Sequence, residues 1–154
     1  MFKQILKTTL VPGSFDIVAA CIQAYVTTET PPAIVLKYIA SGVFGKSAFT
    51  GSYGIMAIGL FFHFAIVFAC TAVFFLLYPK LKFLHHSVLL NSFLIALTAW
   101  TVTTQIIIPL SEIKPDIFDM KKEVIAASVL FLFVGLPVSL AAKKYYQDKV
   151  NEIS

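Results

Sequence analysis

GIMAIGLFFHFAIVFACTAVFFLLY, running from Gly54 to Tyr78, holds a single ionisable side chain, His63, near its middle. A helix of that length and polarity reaches across a hydrocarbon layer of about 30 Å. The rest of the chain reads as what surrounds such a helix: three more spanning segments, an interfacial piece and short polar connections.

The 154 residues are 58% hydrophobic and 13% charged, with a mean hydropathy of +0.86. A soluble domain carries about a quarter charged residues. Here the charges gather at the ends of apolar runs, as a membrane requires. The length leaves room for one bundle and no separate soluble domain. All twelve basic residues are lysines, and the formal charge is +4. No lysine run interleaves with exposed aromatics, so nucleic-acid binding is not expected. Cys21 and Cys70 fall inside predicted spans without CxxC spacing, which argues against a disulfide or metal framework.

The first span is expected over about 8–25, behind Lys3 and Lys7. A signal peptide ending at Val18-Ala19-Ala20-Cys21 is the alternative. Asp16 inside the would-be apolar region and Pro12-Gly13 near its start both speak against it. From 27 to 52 the chain is too polar to span. Thr30 is placed to cap a helix whose first position is Pro31, where a missing N–H costs nothing. Ile34, Val35, Tyr38 and Ile39 share a face, with Lys37 and Ser41 opposite. That spacing predicts a short amphipathic helix over about 31–44, lying at the membrane interface. Gly42, Gly45 and Gly51 end it and turn the chain into the second span, about 54–78.

Pro79-Lys80-Leu81-Lys82 stops that helix. His85 and His86 follow in the turn; adjacent residues cannot share a helix face, and no Cys, Asp or Glu stands near to complete a ligand set. Interfacial solvation is their expected role, and no metal site is expected. The third span covers about 88–110, ended by Pro109, and a polar loop runs from Ser111 to Lys122. The fourth covers about 124–142 and is closed by Lys143-Lys144. The expected fold is therefore all-α: a four-helix transmembrane bundle in a single domain, 1–154, with one interfacial helix between spans 1 and 2.

Lysine asymmetry sets the orientation. The N-terminus, the 79–87 turn and the C-terminal tail carry seven lysines against Asp148 and Glu152. The other two connections carry five lysines against five acids: Glu29, Glu112, Asp116, Asp119 and Glu123. Both termini are expected in the cytoplasm, as four spans require.

Each span has a stripe of small or polar residues at helical spacing. They are Gly13, Asp16, Ala20 and Gln23; Gly59, His63 and Cys70, beside Ala65, Ala69 and Ala72; Asn91, Thr98, Thr101 and Gln105; and Ser128, Gly135, Ser139 and Ala142. Lipid gives helices no hydrophobic reason to associate, so close backbone approach and interhelical hydrogen bonds must bring them together. These stripes are expected to face inward, with Gln23, Asn91, Thr98, Thr101 and Gln105 as polar lining. Pro137 is expected to interrupt the fourth helix and free a carbonyl near position 133.

Asp16 stands apart, because a carboxylate deep in a bilayer costs on the order of 3 kcal/mol unless it is paired or protonated. At 1.5 Å per residue, Asp16 lies about 12 Å from the cytoplasmic edge and His63 about 16 Å. The two are expected to pair inside the bundle. Such a pair could carry a proton, or it could serve as a clamp that sets helix register.

The combined motifs resemble a family of small four-span bacterial inner-membrane proteins of unassigned function. They are Asp16 after Gly13; Val35-Leu36 through Ile39-Ala40-Ser41-Gly42, with Gly45 and Ala48-Phe49; Gly59-Leu60 and His63-Phe64; Pro79; Pro109-Leu110-Ser111; and Gly135-Leu136-Pro137. Asn91 and Ser92 stand where that family would place glycines near the start of the third span. The resemblance implies a fold and a location but no activity.

Three functions are weighed. The leading one is a non-enzymatic integral membrane protein that packs with itself or a partner subunit. The second is a minimal oligomeric transporter or proton-coupled permease using Asp16 and His63; an oligomer is needed because four helices enclose little beyond their own side chains. The third, an intramembrane enzyme, lacks HExxH, GxSxG, paired cysteines and a second intramembrane carboxylate. No catalytic residue and no cofactor is expected. Haem in particular needs axial histidines on facing helices, and His63 is the only histidine within a span.

Overall fold

The computed structural model describes residues 1–107 and 120–151. Five helices follow in chain order: α1 (Phe2–Thr28), α2 (Pro32–Phe44), α3 (Tyr53–Leu77), α4 (Val88–Val102, continued by a π turn over Thr103–Ile107) and α5 (Met120–Asn151). Four of them, all but α2, are long and apolar enough to cross a membrane. The described residues contain no strand. The fold is an all-α bundle.

α1 is longer than its apolar run because Pro12 does not break it; the helix extends back to Phe2. Near that proline, the Thr9 hydroxyl donates to the Ile5 carbonyl at 2.9 Å. Glu29 then takes a left-handed conformation (φ 54°), and its N–H closes the last turn on the Tyr25 carbonyl.

α2 starts one residue later than its cap signals suggest. Pro32 disfavours helical dihedrals at the residue before it, so Pro31 stays extended (φ −69°, ψ 152°) and sits at the N-cap. Thr30 caps nothing; its hydroxyl pairs with that of Thr28 at 2.8 Å. At the far end Gly45, with φ 55°, stops the helix, while Gly42 lies within it. A 3-10 turn (Gly45–Thr50) leads to α3.

The side of α2 that packs is not the one its polarity pattern suggests. Ala40 and Ser41 are fully buried, and Lys37 bends to the Phe49 carbonyl at 3.2 Å. The reason lies on α3. Any side chain at Gly59 would overlap the Leu36 carbonyl, so α2 and α3 meet backbone to backbone. Small residues are needed at that seam, and Ser41 is one of them.

α4 is capped by Ser87, whose hydroxyl accepts from the Leu90 N–H at 3.2 Å. It packs on α5 where Gly135 lies under the Ser92 backbone with no room for a side chain. Close approach at the start of the third span is thus supplied by the facing helix, although α4 has Asn91 and Ser92 there.

Pro137 does not break α5. A π turn over Phe131–Gly135 precedes it, and the Leu136 N–H reaches the Phe131 carbonyl. The wider turn absorbs the missing donor. α5 then continues past Lys143-Lys144 to Asn151. Pro109, the motif Pro109-Leu110-Ser111 and the loop acids Glu112, Asp116 and Asp119 lie outside the described residues.

The best-packed core is at the lysine-rich end. Phe75, Tyr78, Leu84, Ile95, Val134, Val138 and Ala142 pack there with Ile5. Tyr146 stacks on Tyr78 at 5.4 Å and donates to the Phe75 carbonyl at 2.7 Å.

Candidate functional site

α1 and α3 bring Asp16 and His63 together. Both are buried, at 8% and 9% exposure, and Asp16 Oδ2 lies 3.9 Å from His63 Nε2. That is just within ion-pair reach and too long for a hydrogen bond. The short contact of the same nitrogen is the Gly13 carbonyl at 2.9 Å. A carbonyl only accepts, so Nε2 carries the proton and donates it to Gly13. The imidazole thus ties α3 to the backbone of α1, with the Asp16 carboxylate beside the bond.

Local sequence explains why this meeting is possible. Gly13 presents no side chain, and Phe64 packs directly over it; a methyl there would come within 3.0 Å of that ring. The phenyl ring also stands edge-on to His63, with centroids 5.3 Å apart. Gly13 and Asp16 are one turn apart on α1, so a single imidazole can face both.

The remaining sequence-predicted polar residues do not gather around the pair. Gln23 is half-buried and reaches the Lys122 carbonyl at 3.5 Å. Asn91 is buried and donates to the Leu84 carbonyl at 2.6 Å, clamping the turn before α4. Thr98, Thr101 and Gln105 are exposed on the outside of α4. The inner arc of α4 is Asn91, Ser92, Ile95 and Ala96. Thr98, Thr101 and Gln105 follow Asn91 at near-helical spacing, yet they drift off that arc toward the outer face. Thr98 satisfies its own hydroxyl on the Leu94 carbonyl at 2.8 Å, as a threonine in lipid can.

In α5 the stripe divides likewise. Gly135, Ser139 and Ala142 are buried, whereas Ser128 is exposed, as it lies in the Met120–Leu130 stretch, none of which is buried. Ser139 and Ser92 both donate to the Val88 carbonyl, at 3.2 and 2.7 Å. Cys21 and Cys70 are both free thiols. Two buried oxygens, the Thr71 hydroxyl and Asn91 Oδ1, have no partner among the described residues.

Three polar contacts lie outside the sequence reading. Trp100 donates to Glu123 Oε2 at 2.8 Å, so that acid is held at the bundle edge. Tyr146 donates to Phe75 as described above. His85 Nε2 contacts the Tyr78 carbonyl at 2.8 Å, while His85 and His86 stay largely exposed. Each pairs residues distant in sequence or hidden in a turn, and periodicity carries no signal for such pairs. Among the described residues, no three His, Cys, Asp or Glu side chains cluster as metal ligands would.

No protein family, curated protein or solved structure matches the chain.

Proposed function

We propose that the protein is a non-enzymatic, multi-pass subunit of the bacterial inner (plasma) membrane, both termini cytoplasmic. It works by packing against a second copy or a partner subunit through the outer face of α4. One observation carries this reading: Thr98, Thr101 and Gln105 form an exposed polar stripe on a helix apolar enough to span. An amide facing hydrocarbon has no water to bond. A neighbouring helix restores those bonds, each worth about 0.6 kcal/mol and at most about 1.7. Most inward polar groups, in contrast, end on backbone carbonyls, as Thr9, Ser41, His63, Asn91, Ser92 and Ser139 do. The lysine asymmetry and the family resemblance support the location and orientation.

Disulfide trapping in native membranes tests it. Thr101→Cys, in a chain whose Cys21 and Cys70 are replaced by alanine, is expected to give a cross-linked dimer or a larger adduct. Gln105→Leu in the same background should reduce that product. Val18→Cys, on an exposed position of α1, is the lipid-facing control. Trapping of Thr101→Cys no better than Val18→Cys overturns the reading.

The burial of Asp16 against His63 favours a second reading, the oligomeric proton-coupled transporter. Gln23 and Gln105, which would extend the path, are parted, the first on Lys122 and the second outside α4. Proton flux into liposomes decides: wild-type flux at the empty-vesicle level, unchanged in Asp16→Asn, removes it.

A further inference from the structure

A cavity of about 440 Å³ opens beside His63, between α1, α2 and α3, with Thr103 of the α4 π turn at its edge. We propose that it binds a small apolar molecule carrying a hydroxyl group, which donates a hydrogen bond to His63. The size is that of ordinary small-molecule sites. Ile17, Ala20, Ile34, Ile39, Ile66 and Val67 supply an almost wholly apolar wall. Water does not wet such a wall well, whereas an apolar molecule does. Its walls belong to helices that span and to α2 packed on them, so what reaches it is bilayer-soluble.

The imidazole specifies the polar end of the ligand. Its Nε2 proton is committed to Gly13, and Nδ1, the other ring nitrogen, is the atom proposed to accept from the ligand. No hydrogen bond from a described residue reaches that nitrogen. The complementary group is therefore a donor on an otherwise apolar body. A hydrocarbon chain alone would bury the imidazole without satisfying it. The Gly13 bond holds the ring in place before any ligand arrives, so little ordering is needed on binding. The site is separate from the outer stripe of α4, and either can fail without the other.

Native mass spectrometry of the purified full chain in a non-ionic detergent tests the proposal. Farnesol and farnesyl methyl ether serve as probes of nearly equal shape, of which only the first donates. Wild type is expected to hold farnesol about tenfold more tightly than the ether, as one hydrogen bond of ordinary strength gives. His63→Phe should bring the two to equality. Ala20→Phe, which fills the cavity and leaves the imidazole intact, should lose both adducts. Equal retention of alcohol and ether by wild type overturns the proposal, as does no binding of either. Farnesol binding by Ala20→Phe at the wild-type level would place the probe elsewhere and also overturn it. Should His63→Phe not fold, the wild-type ratio and Ala20→Phe still decide.

Discussion

At the lysine-rich end, Phe75 and Val138 are fully buried, Tyr78 nearly so, and Tyr146 crosses from α5 to the Phe75 carbonyl. At the opposite end, the first eleven residues of α5, Met120 to Leu130, bury none of their side chains. Polar threads hold this second end: Gln23 on Lys122, and Trp100 on Glu123. The His63 cavity lies on the same side of the core, between α1, α2 and α3. Both ends are rich in apolar residues. Hydropathy therefore assigns a segment to the membrane without saying whether its neighbour is protein or lipid; close packing decides that. A bundle firm at one end and loose at the other can keep its helices registered while leaving room for a ligand or a partner.

Substitutions can break this contrast. Phe75→Ala empties the firm end and is expected to cost about 3 kcal/mol, the usual scale for truncating a fully buried phenylalanine. Thermal unfolding in detergent reads it, and a loss under about 1 kcal/mol would mean the end is less tightly packed than its burial indicates. Gly135→Ala comes next, at about 1–3 kcal/mol, since the added methyl meets the Ser92 backbone and must push α4 from α5. The same unfolding assay, with cross-linking between the two helices, would register that shift.

A smaller effect is expected for Tyr146→Phe, about 0.6 kcal/mol, which removes one interhelical hydrogen bond and keeps the ring stack on Tyr78. Titration with a denaturing detergent is sensitive enough for it. Val124→Ala should change stability by less than about 0.5 kcal/mol, because that side chain is 59% exposed. A large loss at Val124 would reveal a firm second end and dissolve the contrast.

Much of the architecture is legible in one dimension. Long apolar runs bounded by lysines yield four spanning helices, because the backbone in hydrocarbon must bond within its own segment. Asp16 and His63 can be matched in depth by counting residues, since a helix advances a constant 1.5 Å per residue. Which way each helix turns is not legible in that manner. Thr98, Thr101 and Gln105 keep a helical spacing with Asn91, yet only Asn91 is buried. Ser41 looks like a polar outer position and is buried because Gly59 lets the α2 backbone in.

By itself, then, the chain order of polar and apolar residues determined the class, the number of spans and the two ionisable residues at matching depth. Those follow from local rules: segment length, hydrogen bonding within a helix, and the cost of charge in lipid. Only tertiary structure decided that the imidazole donates to Gly13 and not to the carboxylate, that Gly135 seats α4, and that a cavity opens beside His63. Each depends on where a glycine or a π turn lets two backbones meet, and that is a property of pairs of helices which no single helix carries.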